Sequence, residues 1–163
     1  MQWRVALFTA LFLIVVVSCH AQAATGILTG KVFTTTKGGD TKPARMAHVF
    51  LASGDDQVAV QQSLDKALTN RLESLKNNSD AEQACQLASV SVFAAVRASS
   101  TIQTVNTDED GSFALPGLRP GTYLVIVIGT ANGYQSVWRL STDVTAGKRR
   151  KITLSEPVLE CPS

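Results

Sequence analysis

Asp108, Glu109 and Asp110 form the densest group of carboxylates in the sequence, and carboxylate oxygens are the ligands that a calcium ion prefers. A complete calcium loop also needs further oxygen ligands at fixed spacing and a distal bidentate glutamate, which this segment lacks. Aspartates followed by Gly111 are instead typical of a tight turn between two strands. We therefore interpret Asp108, Asp110 and Gly111 as structural turn residues and predict no metal site.

Candidate catalytic residues are few. If the chain is cleaved after Ala23, His48 is the only histidine left, and one histidine does not make the usual zinc ligand set. The sequence contains neither the His-x-x-Glu spacing of zinc peptidases nor the Gly-x-Ser-x-Gly elbow of serine hydrolases. We predict that the protein is not an enzyme, with no catalytic residue and no cofactor.

The first 23 residues have the pattern of an export signal. Arg4 supplies a positive charge, Val5 to Val17 is almost entirely apolar, and a small-x-small pattern ends at Ala23. Because the apolar run is shorter than the roughly 20 residues that span a bilayer, it fits a cleaved signal peptide better than a membrane anchor. This predicts a secreted, periplasmic or cell-envelope protein with no transmembrane span after cleavage.

A second cleavage site competes with the first. The segment from Val16 to Cys19 resembles the lipobox of bacterial lipoproteins, in which the cysteine is acylated and becomes the new N-terminus. Cleavage before Cys19 would give a protein that is anchored to the membrane by acyl chains without spanning it. Simple secretion and lipidation at Cys19 both remain open.

Two cysteines, Cys85 and Cys161, remain after either cut in a form that can pair. An oxidising compartment favours a disulfide between them. Such a bridge closes a loop of about 76 residues and stabilises the fold by roughly 4–5 kcal/mol in the chain-entropy model. The alternative is two free thiols that are buried separately.

The charge and composition exclude some partners. One of the 15 basic residues, Arg4, lies in the leader and none of the 13 acidic residues does, so the mature net charge is +1. With only 6% aromatic residues in addition, we predict no nucleic-acid partner. The dense basic run from Lys148 to Lys151 fits either contact with anionic glycans or lipid headgroups, or the solvated half of an edge strand, which we prefer.

A period of two in hydrophobicity predicts strands before residue 53 and after residue 100. The run from Leu124 to Ile128 is continuously apolar, which indicates a central strand that is buried on both faces. The core residues that we predict are Phe113, Leu115, Tyr123, Val125 and Trp138. The predicted strands cover 26–36, 47–52, a segment around Ile102 and Val105, a segment around Phe113 and Leu115, 121–130, 134–144 and 148–154.

Between the second and third predicted strands, the period changes to that of a helix. An apolar stripe predicts a first helix over 57–76, packed on the sheet, with Val60, Leu64, Leu68, Leu72 and Leu75 on one face. Ser79 and Glu82 have the spacing of a capping box, which predicts a second helix from Asp80 to about Val96. Residues 89–93 also fit a strand, and helix is the interpretation that we prefer.

Four motifs together resemble the carboxypeptidase regulatory-like domains. They are Gly30-x-Val32, the stretch from Pro43 to Leu51, the segment from Thr107 to Phe113, and Leu118-x-Pro120-Gly121-x-Tyr123. The resemblance implies a mainly β fold, a seven-stranded antiparallel Greek-key-like sandwich of the prealbumin (transthyretin-like) type. It covers 24–156 apart from a two-helix insertion at about 57–98, after strand two, and leaves 157–163 as a tail.

The motifs also have a physical reading. Asp110-Gly111 supplies residues that accept positive φ, and Pro120-Gly121 fixes one backbone dihedral and frees the next to make a sharp corner. Phe113 and Tyr123 then fill the sandwich core, with the tyrosine hydroxyl near its edge.

The resemblance further implies a function outside the cytoplasm. Its members are mostly accessory, adhesive or substrate-presenting modules, and the related hydroxyisourate hydrolases use several histidines that this chain lacks. We expect an exported, non-catalytic binding module that recognises a protein, peptide or glycan through its end loops. The alternative is a structural lipoprotein, acylated at Cys19, that is an assembly component of an envelope complex.

Overall fold

The computed structural model describes residues 24–76, 81–98 and 103–162, which form two packed β-sheets with two helices on the outer face of one sheet. The elements in chain order are β1 (Gly26–Thr35), β2 (Thr41–Pro43), β3 (His48–Ser53), α1 (Asp55–Lys76), α2 (Ala81–Ala98), β4 (Gln103–Asn106), β5 (Ser112–Leu118), β6 (Gly121–Ala131), β7 (Tyr134–Val144), β8 (Arg149–Leu154) and β9 (Leu159–Pro162).

The first sheet is built around β1. β5 and β2 pair with successive parts of β1 in the antiparallel sense, and β8 pairs with it in parallel. Side chains alternate along β1, so Leu28 and Val32 are buried in the sandwich while Ile27, Thr29 and Lys31 lie on the outer face.

The second sheet has the order β4-β3-β6-β7-β9, with all its pairs antiparallel and β6 at its centre. Val125 and Val127 of β6 pack in the sandwich interior, whereas Leu124, Ile126 and Ile128 pack beneath the helices. Of the predicted core residues, Phe113, Leu115, Val125 and Trp138 are buried in the sandwich interior, and Tyr123 packs against it half-buried.

The two helices cover the second sheet. The disulfide between Cys85 and Cys161, with Cα atoms 5.6 Å apart, holds the first half of α2 against β9, which confirms the predicted pairing. Further along α2, Phe93 reaches β3, where its ring centroid lies 6.0 Å from that of Phe50. Thus α2 crosses the sheet from one edge toward the other.

Helix α1 packs on the sheet through part of its predicted stripe. Val60 and Leu64 are buried and Leu68 packs half-buried against the same cluster, but Leu72 is 59% exposed. The prediction that Leu72 belongs to the buried face is therefore wrong. Toward the middle of α1, the Asp65 carboxylate accepts a 2.7 Å hydrogen bond from Arg139 of β7, which holds the pKa of Asp65 below its usual value.

The predicted mainly β sandwich with a two-helix insertion is confirmed, with differences in detail. The described residues contain nine strands where seven were predicted, and the β1–β8 pair is parallel where the prediction was wholly antiparallel. The additional strands are β2, which lies between the first two predicted strands, and β9, which lies in the predicted tail. A strand of three or four residues is too short to show a period of two in hydrophobicity. Such a strand is recognised by its backbone pairing, which the sequence does not reveal. Residues 89–93, for which a strand was the alternative, belong to helix α2, as we preferred from the sequence.

The described chain begins at Ala24, beside the turn that precedes β8. The Gly147 amide donates to the Thr25 carbonyl and the Ile27 amide donates to the Lys148 carbonyl, both at 3.0 Å. The predicted signal peptide, residues 1–23 with Cys19, lies outside the described residues. Among the residues that are described, no helix has both the length and the apolar character needed to cross a membrane.

The helix cover can be tested by comparing two leucines of α1. Replacing Leu64, which is fully buried, by alanine should lower the free energy of unfolding by roughly 2–5 kcal/mol, because the substitution leaves a cavity between α1 and the sheet. Replacing the exposed Leu72 by alanine should change it by less than about 0.5 kcal/mol. Urea unfolding of both variants measures the difference, and equal losses would contradict this packing.

Candidate functional site

The helices leave one edge of the second sheet uncovered. Thr104 and Asn106 of the edge strand β4 point to the helix side of the sheet, opposite Phe50 and His48 of β3, and both are exposed. Beside them the surface forms a groove of two adjoining cavities that share His48 and Phe93, which we call the β4 groove. The first cavity, of about 470 Å³, is lined by His48, Phe50, Phe93, Val96, Arg97, Thr104, Val105 and Asn106.

The second cavity, of about 430 Å³, continues the groove along α2 toward the start of β3. Its lining residues are Arg45, Met46, His48, Ser89, Val90, Phe93, Ile128, Gly129, Thr130 and Gln135. Both cavities fall in the size range of small-ligand sites. The groove therefore has room for a ligand that touches α2, β3 and β4 together.

An aromatic cluster forms the floor between the two cavities. The His48 ring centroid lies 6.2 Å from that of Phe50 and 6.3 Å from that of Phe93. The rings of Phe50 and Phe93 meet edge to face, a favourable arrangement for two quadrupoles. Because Phe50 is buried and Phe93 is half-buried, the cluster is held rigidly while part of it stays accessible.

The charged groups in the groove are all basic. The Arg97 guanidinium lies over the Phe93 ring, 5.0 Å from its centroid, and His48 Nδ1 donates a 2.9 Å hydrogen bond to the Asn106 side-chain oxygen. Arg45 lies at the far end of the second cavity and is exposed. No aspartate or glutamate lines either cavity. The groove therefore presents an apolar floor with positive charge at both ends.

Two apolar side chains form the rim. Both line the second cavity: Met46, in the loop before β3, is 65% exposed, and Val90, on α2, is 64% exposed. Met46 has a positive φ of 50°, which is uncommon for a residue with a side chain and fixes the course of the loop before β3. Exposed apolar groups around a cavity are typical of a binding surface.

Thr107 holds the loop that carries Arg45 and Met46. Its buried hydroxyl donates to the Ala44 carbonyl at 2.6 Å and accepts from the Ala47 amide at 2.9 Å. In the sequence, Thr107 stands out only by its place in a motif, directly before the turn at 108–112. Its hydrogen bonds could not be predicted from that position, because only the fold brings this turn next to residues 44–47.

The predicted turn at 108–112 lies at the end of the sandwich and does not contribute to the groove. The Asp108 carboxylate accepts a 2.7 Å hydrogen bond from the Ser112 amide, and Gly111 has a φ of 80°. A Cβ atom on Gly111 would collide with the Val32 carbonyl oxygen, so both conformation and space require glycine. The expectation that Asp110 also adopts positive φ is wrong, because of the two residues only Gly111 does.

The corner at Pro120-Gly121 lies at the opposite end of the sandwich. Next to it the Tyr123 hydroxyl donates a 2.8 Å hydrogen bond to the Arg119 carbonyl, with its ring against the core. The structure therefore places the two predicted turn motifs far from each other in the fold, since β5 separates them. Neither turn shares a cavity with His48 or Phe93.

The described residues do not bring together groups that fit a nucleophilic mechanism. Cys85 and Cys161 are joined in the disulfide, so neither is a free thiol. The contacts of the His48 ring are with Asn106, Phe50 and Phe93. In the described ranges, no three His, Cys, Asp or Glu side chains are placed to hold a metal ion together.

Comparison with protein families confirms the resemblance that the motifs indicated. The family model of the carboxypeptidase regulatory-like domain matches residues 79–155, which run from the end of the α1–α2 connection to just after β8. This match includes α2 and excludes β1 and β3. No curated protein matches the sequence.

Solved structures with a similar chain path are distant in sequence. A Pseudomonas aeruginosa protein that has been provisionally assigned carbohydrate binding is 13% identical, with a TM-score of 0.45 over 83% of this chain and 90% of its own. A minor pilin of Streptococcus agalactiae is 16% identical, with a TM-score of 0.45 over 86% of this chain and 48% of its own. A major pilin of Bacillus cereus is 12% identical, with a TM-score of 0.44 over 82% of this chain and 30% of its own. Likeness at this level assigns no function.

The turn at 108–112 predicts a pH dependence of stability. Hydrogen bonds with the Asp108 carboxyl and with Ser112 hold the pKa of Asp110 well below its usual range. A lowered pKa in the folded state stabilises the protein above the unfolded value of about 3.9, and this stabilisation is lost as the pH falls through the folded value. Asp110→Asn should therefore lower the melting temperature at pH 7, and the difference from wild type should shrink in acid below about pH 4.

Glu109→Gln is the matched control for Asp110→Asn, because it removes one carboxylate from the same exposed turn. Calorimetry of both variants between pH 2 and 7 gives their melting temperatures. The comparison distinguishes the loss of the Asp110 hydrogen bonds from the effect of removing one negative charge from the turn. An Asp110→Asn difference that is the same at pH 2 and pH 7 would contradict the assignment.

Proposed function

We propose that this chain, whose residues 79–155 match the carboxypeptidase regulatory-like domain, is an exported, non-catalytic binding module whose ligand lies in the β4 groove. The observation that carries the proposal is the pair of adjoining cavities that share His48 and Phe93 beside an exposed edge strand. The sequence analysis expected the ligand at the end loops. The groove is a better candidate because it combines concavity, apolar floor and charge.

The ligand that fits best is an extended peptide segment that carries a carboxylate next to an apolar side chain. Arg97 and Arg45 offer charge-assisted hydrogen bonds to a carboxylate, and Phe93, Val90 and Met46 offer apolar contact. Among the described strands, β4 pairs only with β3, so no described strand occupies its other edge and a further strand could add there. Side chains at alternate positions of such a strand would lie beside Thr104 and Asn106.

A neutral glycan fits the groove less well than a peptide. Sugar rings bind to the open face of an aromatic side chain, and in this groove the Arg97 guanidinium lies over the face of Phe93. A glycan would have to displace Arg97 before it could stack. Peptide binding needs no such displacement, because the guanidinium is already placed to receive a carboxylate.

The expected export of this protein agrees with a binding role outside the cytoplasm. The disulfide between Cys85 and Cys161 and the export signal both favour an oxidising compartment. Both cysteines are buried, and Ser89 donates a hydrogen bond of 3.5 Å toward the Cys161 sulfur, so the bridge is part of the helix packing. We place the protein in the secreted or cell-envelope fraction.

A peptide titration tests the groove. The probe is a library of short peptides with alternating glutamate and leucine or phenylalanine, titrated into the ¹⁵N-labelled exported protein. Amide shifts should cluster at 45–48, 89–97 and 104–106, and Arg97→Glu should weaken binding at least about tenfold, because a like charge replaces the charge-assisted bond. Lys66→Glu, an equal charge change on the exposed face of α1, should leave the affinity unchanged.

Two outcomes of the titration would overturn the proposal. Shifts that cluster in loops at the ends of the sandwich, such as 119–120 and 145–148, would instead support the expectation from the sequence that end loops bind the ligand. Binding of neutral oligosaccharides, but not of the peptides, in the same groove would assign the site to glycans.

The second candidate function is that of a structural lipoprotein that acts in an envelope complex. The lipobox-like segment from Val16 to Cys19 favours it, since acylation there would tether the domain to a membrane. This role is compatible with the groove, because the tether and the groove involve different residues.

The start of the mature chain distinguishes secretion from lipidation. We expect mass spectrometry of the exported protein to find Ala24 as its first residue, because the Ala-x-Ala site agrees with signal peptidase cleavage. Globomycin, which blocks lipoprotein processing, should then leave the mature protein unchanged. A mass that includes acylated Cys19, together with precursor accumulation in globomycin, would establish the lipoprotein alternative.

A further inference from the structure

The register of β8 separates the side chains of the basic run 148–151. Arg149 and Lys151 pair with Ile27 and Thr29 of β1, so they lie on the outer face of the first sheet, which no described helix covers. Arg150 pairs with Leu28 and points the other way, where its Nε donates a 3.2 Å hydrogen bond to the Thr142 hydroxyl of β7. Arg150 thus bridges the two sheets, and the other cations remain directed to solvent.

Lys148, Arg149 and Lys151 are exposed and carry net positive charge. No carboxylate of the described residues lies within ion-pair distance of any of the three, whereas Lys31 on the same face is paired with Asp110 at 3.5 Å. Charges of one sign that have no internal partner are available to an external one. We call these three residues the basic end surface.

The surroundings of this surface are mixed in sign. Asp143 on β7 accepts a 2.6 Å hydrogen bond from the Thr122 hydroxyl. Asp55 and Asp56 begin α1 and so belong to the helix side of the other sheet. Arg119 adds a further exposed cation, because the turn after β5 lies at the same end as the start of β1.

The chain enters the fold at this same place. Thr25 and Ile27 bond directly to Gly147 and Lys148, and residues 1–23 precede them in the sequence. Thr25 comes six positions after Cys19, a reach of at most roughly 20 Å when the chain is fully extended. A leader that is still in the membrane during export, or an acyl chain on Cys19, would therefore hold the basic end surface close to the headgroups.

From this juxtaposition we propose that Lys148, Arg149 and Lys151 bind the anionic headgroups of a lipid bilayer. A basic patch beside a single anchoring segment is the combination that makes weak membrane attachment stable. Ile27 lies partly exposed beside Arg149 and adds apolar contact at the interface. The inference uses none of the groove residues, so it stands or fails independently of the proposed ligand.

Vesicle binding tests the proposal. The protein is exported and purified with Cys19→Ala, which removes any acyl chain, and mixed with vesicles of phosphatidylcholine alone or with vesicles that also contain the anionic lipid phosphatidylglycerol. We expect sedimentation with the anionic vesicles only, weakening as salt rises. The triple variant Lys148→Gln, Arg149→Gln, Lys151→Gln should bind them roughly 100-fold more weakly, at about fivefold per cation.

A matched control uses three cations that lie outside both the groove and the basic end surface. Lys37→Gln, Lys42→Gln, Lys66→Gln removes three positive charges from exposed positions in the loop before β2, in β2 and in α1, and should keep the wild-type affinity for anionic vesicles. Circular dichroism melting of both triple variants checks that each remains folded.

Three results would overturn the proposal. They are equal binding to neutral and anionic vesicles, equal losses in the two triple variants, and no binding to either kind of vesicle. A heparin column run in parallel identifies the alternative ligand: retention on heparin that only the first triple variant loses, without vesicle binding, would assign the surface to acidic glycans instead of lipids.

Discussion

The double burial of β6 is the constraint on which the rest of the structure depends. Five successive aliphatic residues, Leu124 to Ile128, are each no more than 4% exposed, although neighbours along a strand point to opposite faces. Each such side chain contributes roughly 1.5–3 kcal/mol when it is removed from water, so neither face can be left bare. The first sheet covers one face. The helices must cover the other, which explains an insertion of two helices in a β-sandwich.

The way in which the helices cover that face creates the candidate site. The disulfide holds the first half of α2 at β9, on one edge of the sheet, and the aromatic cluster of Phe93, Phe50 and His48 holds the second half at β3. The cover ends there, one strand short of the opposite edge. The helix side of β4 is consequently exposed, and the groove is the step between the covered and the uncovered parts of the sheet.

Two separate surfaces of the molecule carry cations that form no ion pair with a described carboxylate. Arg45 and Arg97 lie at the ends of the groove on the helix side, and Lys148, Arg149 and Lys151 lie where the chain enters the first sheet. The two surfaces belong to different sheets. A module that is held at a membrane through one of them would leave the other directed away from it and open to a soluble segment. The net charge of the whole chain, only +2, conceals this separation.

The sequence by itself determined the sandwich, the helical insertion and the cysteine pair, because each leaves a local or compositional signal. The sequence itself displays the period of two, the apolar run at 124–128, the turn at Gly111, and a pair of cysteines that follows an export-signal pattern, all of which are signals of short-range chemistry. It did not determine β2 or β9, whose short segments are strands only because a neighbour supplies the hydrogen bonds. Leu72 was assigned to the buried stripe because a helical period gives the face of a helix but not how far along it the partner sheet extends. Only the tertiary structure decided that Arg97 lines one groove with Arg45 and His48, from which it is distant along the chain, and that Lys148 meets Ile27. Both arrangements depend on strand order and helix crossing, which no local sequence pattern encodes.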